Sequence, residues 1–288
     1  MNLCDIGTIK EILTRHGFHF SKSLGQNFLC ARHVPTAIAQ GAGIDENTGV
    51  LEVGPGIGTL TRELCQRARR VVAVELDRRL PPVLGETLGE FDNFHLVEGD
   101  ILKTNIPQLC REELGEGRKV ACANLPYYIT TPALTALVSS GCFAQITVMV
   151  QKEVARRICA KPGTGDYGAF SVYCQFHGKP SILLDVPAGC FIPAPKVDSA
   201  VVVLTPYAEN PLGPVDENLY FRVVRAAFAQ RRKTLLNCLR HGFPQLERED
   251  ILACLEEAGI GAQARGETLG LEDFARLTEA VGKRLQKE

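Results

Sequence analysis

Between residue 49 and about residue 206 the chain alternates short β-branched and aliphatic runs with stretches of helical composition, and this alternation leaves it few architectures. The runs are VLEVG (50 to 54), RVVAVEL (70 to 76), NFHLVEG (93 to 99), KVACAN (119 to 124), ITVMVQ (146 to 151), PSILLDV (180 to 186) and SAVVVLTP (199 to 206). Several are apolar throughout rather than at every second position, as strands buried on both faces are. Strands alternating with helices predict an α/β fold: a Rossmann-like, mostly parallel sheet with helices on its faces. The last two runs are separated only by a Pro-rich segment, AGCFIPAPKVD, too short for a helical crossover, so the final strand is expected to run antiparallel.

Outside that region the pattern changes. Residues 4 to 16 and 31 to 42 read as helices flanking a loop, KSLGQNFL (22 to 29). After residue 206 comes YAENPLGPVDE, with two prolines and a glycine, and nothing beyond it reads as a strand. Helices are expected at roughly 217 to 230, 233 to 241, 247 to 258 and 271 to 286, broken by HGFP and GIGAQARGE. The predicted organisation is a sheet domain over 1 to 206, its first 48 residues forming N-terminal helices and a covering loop, and a small all-helical domain over 207 to 288.

With 45% hydrophobic and 23% charged residues the 288-residue chain is globular in composition rather than disordered. No run of about 18 apolar residues is present to cross a membrane, and MNLCDIGTIKEIL lacks the basic and apolar regions of a signal peptide, so a cytoplasmic protein is expected. Eleven cysteines contain no CxxC pair, and His16 and His19 have no partner at zinc spacing; neither a disulfide framework nor a metal is expected.

The first strand runs through LEVGPGIGTLTREL, with Glu52 and then Gly54, Gly56 and Gly58, directly into a helix. Glycines at such a turn let backbone approach a ligand closely, and a helix start favours polar or anionic groups. The nicotinamide fingerprint calls for a glycine where Thr59 stands, which weakens a dehydrogenase reading. Glu75 ends the second strand 21 residues after Gly54, the right distance for a carboxylate that accepts from ribose hydroxyls. Asp100 follows the third strand and is placed to accept from an adenine amino group, and Asn124 ends the fourth. Together they point to an adenosine-containing cofactor.

The fourth strand continues as ANLPYYITTP (123 to 132), the most specific segment of the chain. An Asn-Leu-Pro-Tyr turn presents an amide, a carbonyl and an aromatic face to a planar substrate carrying an amino group. The lone pair of an exocyclic adenine amine is delocalised into the ring. Hydrogen bonds from its N–H groups to the Asn124 side-chain oxygen and a backbone carbonyl favour a pyramidal, nucleophilic nitrogen. Stacking on Tyr127 would hold the base and favour the positive charge that develops on nitrogen in methyl transfer.

The chain resembles the bacterial small-subunit ribosomal RNA adenine N6,N6-dimethyltransferases. The resemblance covers nearly the whole length, through SLGQNFL (23 to 29), LEVGPGIGTLT (51 to 61), VVAVELD (71 to 77), EGDIL (98 to 102), NLPYYITTP (124 to 132), QKEVARRI (151 to 158), DYGAFSV (166 to 172), CFIPAPKVDSAVV (190 to 202) and AFAQRRKTLLN (227 to 237). It implies a class I methyltransferase in which Asn27, Leu29, Gly54, Glu75, Asp100 and Asn124 line the S-adenosylmethionine site, with Glu52 and Gly56 supporting the loop. It also implies that Asn124 and Pro126 orient the target amine, that Tyr127 stacks on the adenine, and that Phe191 covers its other face. From its residue type alone Phe191 reads as core. The implied substrate is a pair of adjacent adenines in a hairpin loop near the 3′ end of 16S ribosomal RNA, within the small (30S) subunit or its precursor. Each adenine receives two methyl groups.

Net charge is −1, but residues 222 to 240 carry Arg222, Arg225, Arg231, Arg232, Lys233 and Arg240 with no acid among them. Read as one helix at about 100° per residue, most of these share a stripe beside Phe221, Val224, Phe228, Leu235 and Leu239, so one face would bind RNA and the other pack. Lys152, Arg156 and Arg157, after the fifth strand, are candidates for the same groove. A flipped base leaves its stack most easily from an RNA loop.

A large-subunit adenine methyltransferase shares the cofactor motifs, but AFAQRRKTLLN argues against it. A cytosine-C5 enzyme needs a nucleophilic cysteine in a Pro-Cys or Thr-Cys pair, and neither dipeptide occurs. An assembly factor with secondary catalysis is the remaining alternative. A monomer without membrane contact is expected.

Overall fold

The computed structural model describes residues 1–21 and 24–286. Strands form where the apolar runs were read: β2 (Gly49–Val53), β3 (Arg70–Glu75), β4 (Phe94–Glu98), β5 (Lys119–Asn124), β6 (Gln145–Gln151), β7 (Gly178–Val186) and β9 (Ser199–Pro206). They build one seven-stranded sheet in the order β4-β3-β2-β5-β6-β9-β7. The pairings β3 with β4, β2 with β3, β2 with β5 and β5 with β6 are parallel, and β9 runs antiparallel to β6. Every residue of central β2 is buried, as continuous apolar strands require. Strand β7 sits at the sheet edge, which leaves Ile182 and Leu183 more than two-fifths exposed despite their apolar side chains. Two further strands of two residues each, β1 (Phe28–Leu29) and β8 (Phe191–Ile192), pair antiparallel; both escaped the sequence reading because no periodicity shows in two residues.

Helices α1 (Ile6–Arg15), α2 (His33–Gly41), α3 (Thr59–Cys65), α4 (Pro81–Leu88), α5 (Ile106–Leu109) and α6 (Thr130–Ser139) fill the gaps, followed by α7 (Lys152–Cys159) and α8 (Ala169–His177). Asp5 caps α1 by accepting from the Thr8 amide at 2.7 Å, one of the orphan donors of a first turn. One core cluster packs Val34, Ile38, Leu60 and Leu64 against Val50, Val120 and Met149 of the sheet. A second joins Ile9, Ile12 and Leu13 of α1 to Ile57, Leu80 and Leu84.

The C-terminal segment is helical: α9 (Glu217–Phe228), α10 (Leu235–Gly242), α11 (Arg248–Glu257) and α12 (Leu271–Leu285). By contacts the chain divides into one compact unit of 1–155 with 181–206 and another of 156–180 with 207–288. Residues 156–180, read from sequence as part of the sheet domain, thus pack with the C-terminal helices. The reason is aromatic. Tyr167 stands 5.9 Å from the Phe228 ring and donates to the Leu269 carbonyl at 3.0 Å, and Phe176 lies 4.6 Å from Tyr220.

The break expected between helices at 217 to 230 and 233 to 241 is present, so the stripe read over 222 to 240 as one helix is interrupted. Helix α9 ends at Phe228, and the chain turns through 229 to 234 before α10. The Leu235 amide bonds to the Ala264 carbonyl at 2.7 Å, and Arg231 is engaged by Gly165 and Glu267. Arg222 and Arg225 therefore lie on α9, whereas Arg231, Arg232 and Lys233 lie in the turn.

Candidate active site

Parallel strands deliver their carboxyl ends to one edge, so residues that follow β2, β3, β4 and β5 in sequence meet in space. A pocket forms there, lined among others by Asn27, Leu29, Glu52, Gly54, Gly56, Glu75, Asp100, Asn124, Pro126 and Tyr127. Every residue expected around the cofactor lies in it.

The loop between β2 and α3 is shaped by glycine. Gly54, Gly56 and Gly58 have φ of +67°, +59° and +89°, a region that strains any residue with a Cβ. A Cβ at Gly54 would project into open space within the pocket wall, and one at Gly56 would press on the Phe28 ring at 3.1 Å. Backbone is thus left bare toward the pocket at Gly54.

Glu75 braces this loop from β3. Its Oε2 accepts from the Gly56 amide at 3.4 Å and its Oε1 from the Asp77 amide at 2.8 Å, so each oxygen keeps a lone pair for another donor. Burial pushes the Glu75 carboxyl above its ordinary value, and the Asp77 and Gly56 amides oppose that shift. Glu52, two residues before Gly54 on β2, is 1% exposed, and its Oε2 has no hydrogen-bond partner. Burial, with repulsion from Glu75, raises it to about 8.

Asp100 turns its Oδ1 onto the Leu102 amide at 3.0 Å, which fixes the carboxylate at the mouth of the turn after β4. Asn124 donates from Nδ2 to the Asn27 carbonyl at 3.2 Å. Only the NH2 end of an amide can face a carbonyl, so Oδ1 is left as an acceptor. The Pro126 carbonyl accepts from the Ile129 amide at 3.1 Å and from the Thr130 hydroxyl at 3.4 Å, so both of its lone pairs serve the turn. The Pro126 carbonyl is thus engaged within the bend. Tyr127 opens the short 3-10 helix Tyr127–Ile129, half-buried, and its hydroxyl meets the Ser199 Oγ at 2.8 Å. Burial raises the Tyr127 phenol.

Phe191, expected over the other face of the base, pairs with Leu29. It is 5% exposed, belongs to the core cluster beneath the sheet and does not line the pocket, whereas Leu29 does.

The sequence reading missed Leu76 and Leu102. Both line the pocket, and they are 48% and 41% exposed, an unusual state for aliphatic side chains unless they wall a ligand site. Their only sequence signal is an apolar residue directly after, or two residues after, a strand-end acid. Also unforeseen is Asp77, held below the ordinary carboxylate range chiefly by Arg79; the Asp77 Oδ2 accepts from Gln26 Nε2 at 2.7 Å and so ties the covering loop to the end of β3.

The basic candidates are unequal. Arg225, Arg232, Lys233 and Arg156 are exposed. Arg222 lies 4.4 Å over the Phe243 ring, Arg231 faces Glu267 at 3.5 Å, and Lys152 is held by Asp185 at 2.7 Å. All eleven cysteines are free thiols, and His16 Nε2 meets Glu86 Oε2 at 2.7 Å. Among the described residues no group of three metal-ligating side chains comes together, and no helix is long and apolar enough to cross a membrane.

A sheet in this order with one antiparallel strand, a glycine loop after the first central strand and acids ending the next two, is that of a class I methyltransferase, whose methyl donor is S-adenosylmethionine. Residues 17–282 match the family described as ribosomal RNA adenine dimethylase, and the chain belongs to that family. A ribosomal RNA small subunit methyltransferase A from Geobacillus thermodenitrificans is 45% identical over 279 residues, 96% of this chain and 95% of its own. One of the same description from Lachnoclostridium phytofermentans is 46% identical over 280 residues, 96% of each chain. Among solved structures, a dimethyladenosine transferase from Plasmodium falciparum superposes with a TM-score of 0.74 at 27% identity, covering 89% of this chain and 98% of that one. The 23S rRNA methyltransferase ErmE gives 0.68 at 30% identity, covering 89% of this chain and all of its own.

Proposed function

We propose that this protein transfers methyl groups from S-adenosylmethionine to the N6 amines of two adjacent adenines in a hairpin loop near the 3′ end of 16S ribosomal RNA, within the small (30S) subunit or its precursor. The observation that carries the reading is the Asn124 amide. Asn27 holds its nitrogen end, so Oδ1 is left as an acceptor in the pocket that Tyr127, Glu75 and Asp100 also line.

The residues fit the methyl donor. Bare backbone at Gly54 makes room for it, Glu75 keeps lone pairs for two vicinal hydroxyls, and Asp100 stands as an acceptor for an adenine amine. Leu76 and Leu102 supply apolar walls for a flat base. Asn27, Leu29, Gly54, Glu75, Asp100 and Asn124 would hold S-adenosylmethionine, which supplies a methyl group on positively charged sulfur.

At the substrate, Asn124 Oδ1 accepts from one N–H of the target amine and draws nitrogen out of conjugation. Pro126 fixes the bend that presents Asn124 and Tyr127 together. The Tyr127 face holds the base and stabilises the charge developing on nitrogen. Phe191, buried beside Leu29, supports the pocket wall.

The helical segment 207–288 binds the RNA through Arg225, Arg232 and Lys233, with Arg222, Arg231, Lys152 and Arg156 as further phosphate contacts. The protein works as a monomer in the cytoplasm, on a pre-assembled particle rather than on naked RNA, in keeping with a pI near 6.6.

The test is transfer of labelled methyl groups to unmethylated small subunits, followed by nucleoside mass spectrometry. N6,N6-dimethyladenosine is expected, lost on Asn124→Ala. Label on large-subunit RNA alone would instead favour the activity in the name of ErmE, which is 30% identical over most of this chain. Label on neither would leave an assembly factor.

A further inference from the structure

Strand β9 is the one strand shown to run against its neighbour in the parallel part of the sheet, and this direction has a chemical consequence. A parallel strand brings its last residue to the edge where ligands bind. An antiparallel strand brings its first. Strand β9 begins at Ser199, paired in register with Gln151, the final residue of β6. Ser199 is completely buried, yet it is polar, and its Oγ meets the Tyr127 hydroxyl at 2.8 Å. The residue before it is equally committed: Asp198 accepts from the Ala188 amide at 2.9 Å through Oδ1 and from the Lys152 amide at 3.0 Å through its carbonyl. Ser199 thus enters from a tethered corner.

A tyrosine ring at the start of a short 3-10 helix has two side-chain torsions to settle. Tyr127 is only half-buried and lines the pocket, so burial alone does not fix the ring. A buried hydroxyl at the far tip of the ring provides the second fixed point. We infer that Ser199 is a positioning residue of the methyl-transfer site: its hydroxyl holds the phenol of Tyr127 and so sets the plane on which the target adenine stacks. The inference rests on the proposed function and deepens it. Ser199 touches neither donor nor substrate; it acts through Tyr127, by holding the base where Asn124 Oδ1 can reach its amine.

Because the bond has two ends, removing either should have the same consequence, and removing both should add nothing. The experiment is a double-mutant cycle with Ser199→Ala, Tyr127→Phe and the pair, read as dimethyladenosine formed on small subunits, with S-adenosylmethionine affinity measured calorimetrically on each variant. Each single change should lower kcat by about three- to tenfold, the worth of one net hydrogen bond, while cofactor affinity stays within about twofold. Ser199→Ala placed on Tyr127→Phe should produce no further loss, and Ser199→Thr, which keeps the hydroxyl, should recover activity. Selective 13C labelling of the tyrosines gives a readout free of the reaction: the Tyr127 ring signals should broaden or average in Ser199→Ala.

Losses that multiply in the double variant, a fall that follows cofactor affinity, or unchanged Tyr127 signals would overturn the inference. A wild-type protein that makes no dimethyladenosine would remove the proposed function and this positioning role together. An active wild type with an equally active Ser199→Ala would remove the positioning role alone.

Discussion

Replacing Glu52 by Gln tests the electrostatics of the pocket floor. The Glu52 carboxyl is fully enclosed, one of its oxygens has no partner, and its proton is held until about pH 8, against 4.5 for an exposed glutamate. The folded protein therefore binds this proton more tightly than the unfolded chain does. Below pH 4.5 both states carry it and stability is unaffected. As pH rises from 4.5 to about 8, the unfolded chain ionises first and the folded state loses stability in proportion; above 8 the loss levels off. A gap of about 3.5 pH units at about 1.4 kcal/mol each amounts to about 5 kcal/mol. Glutamine has the same shape and cannot ionise, so Glu52→Gln escapes this loss. Misplacement of its NH2 adds an offset that does not vary with pH. Urea unfolding followed by circular dichroism should show the variant gaining on the wild type by several kcal/mol between pH 5 and pH 8.5. A stability difference that stays flat across that range would refute the argument, because Glu52 would then be ionised in the fold and paired with something the geometry does not show.

Two further outcomes are expected at the binding surfaces. Glu75→Ala removes the carboxylate that braces Gly56 and stands ready for the ribose, and calorimetry should find S-adenosylmethionine affinity reduced by at least about tenfold, in line with the loss of charge-assisted hydrogen bonds. Reversing Arg232 and Lys233 to Glu should weaken particle binding and flatten its salt dependence, whereas Arg231→Glu should do less at the RNA because Arg231 already faces Glu267. Filter binding at several salt concentrations checks both.

Much of this was legible in the chain because buried parallel strands are conspicuous. Strands β2, β3, β5, β6 and β9 were located to within a residue or so, and with them the places where Glu75, Asp100 and Asn124 end up. The four C-terminal helices were equally plain from apolar spacing and Gly/Pro punctuation. The break after Phe228 was legible to within a few residues, but the contacts that hold it were not: the Leu235 amide bonds to the Ala264 carbonyl, and Arg231 is engaged by Gly165 and Glu267. The allegiance of 156–180 was equally hidden, because the aromatic contacts of Tyr167 and Phe176 are made with residues far along the chain. Phe191 is a third case: its pairing with Leu29 is made across 162 positions and leaves no trace in the local pattern.

The amino-acid sequence by itself determined which residues stand at the ligand-binding edge, because strand periodicity and glycine turns are local and every parallel strand ends on the same side. Only the tertiary structure decided how those residues are aimed. The Asn124 amide is turned by a carbonyl 97 positions earlier, and the Tyr127 ring is held by a hydroxyl 72 positions later. An acceptor and a stacking face work only in one orientation, and that orientation is set by partners that chain folding alone brings together.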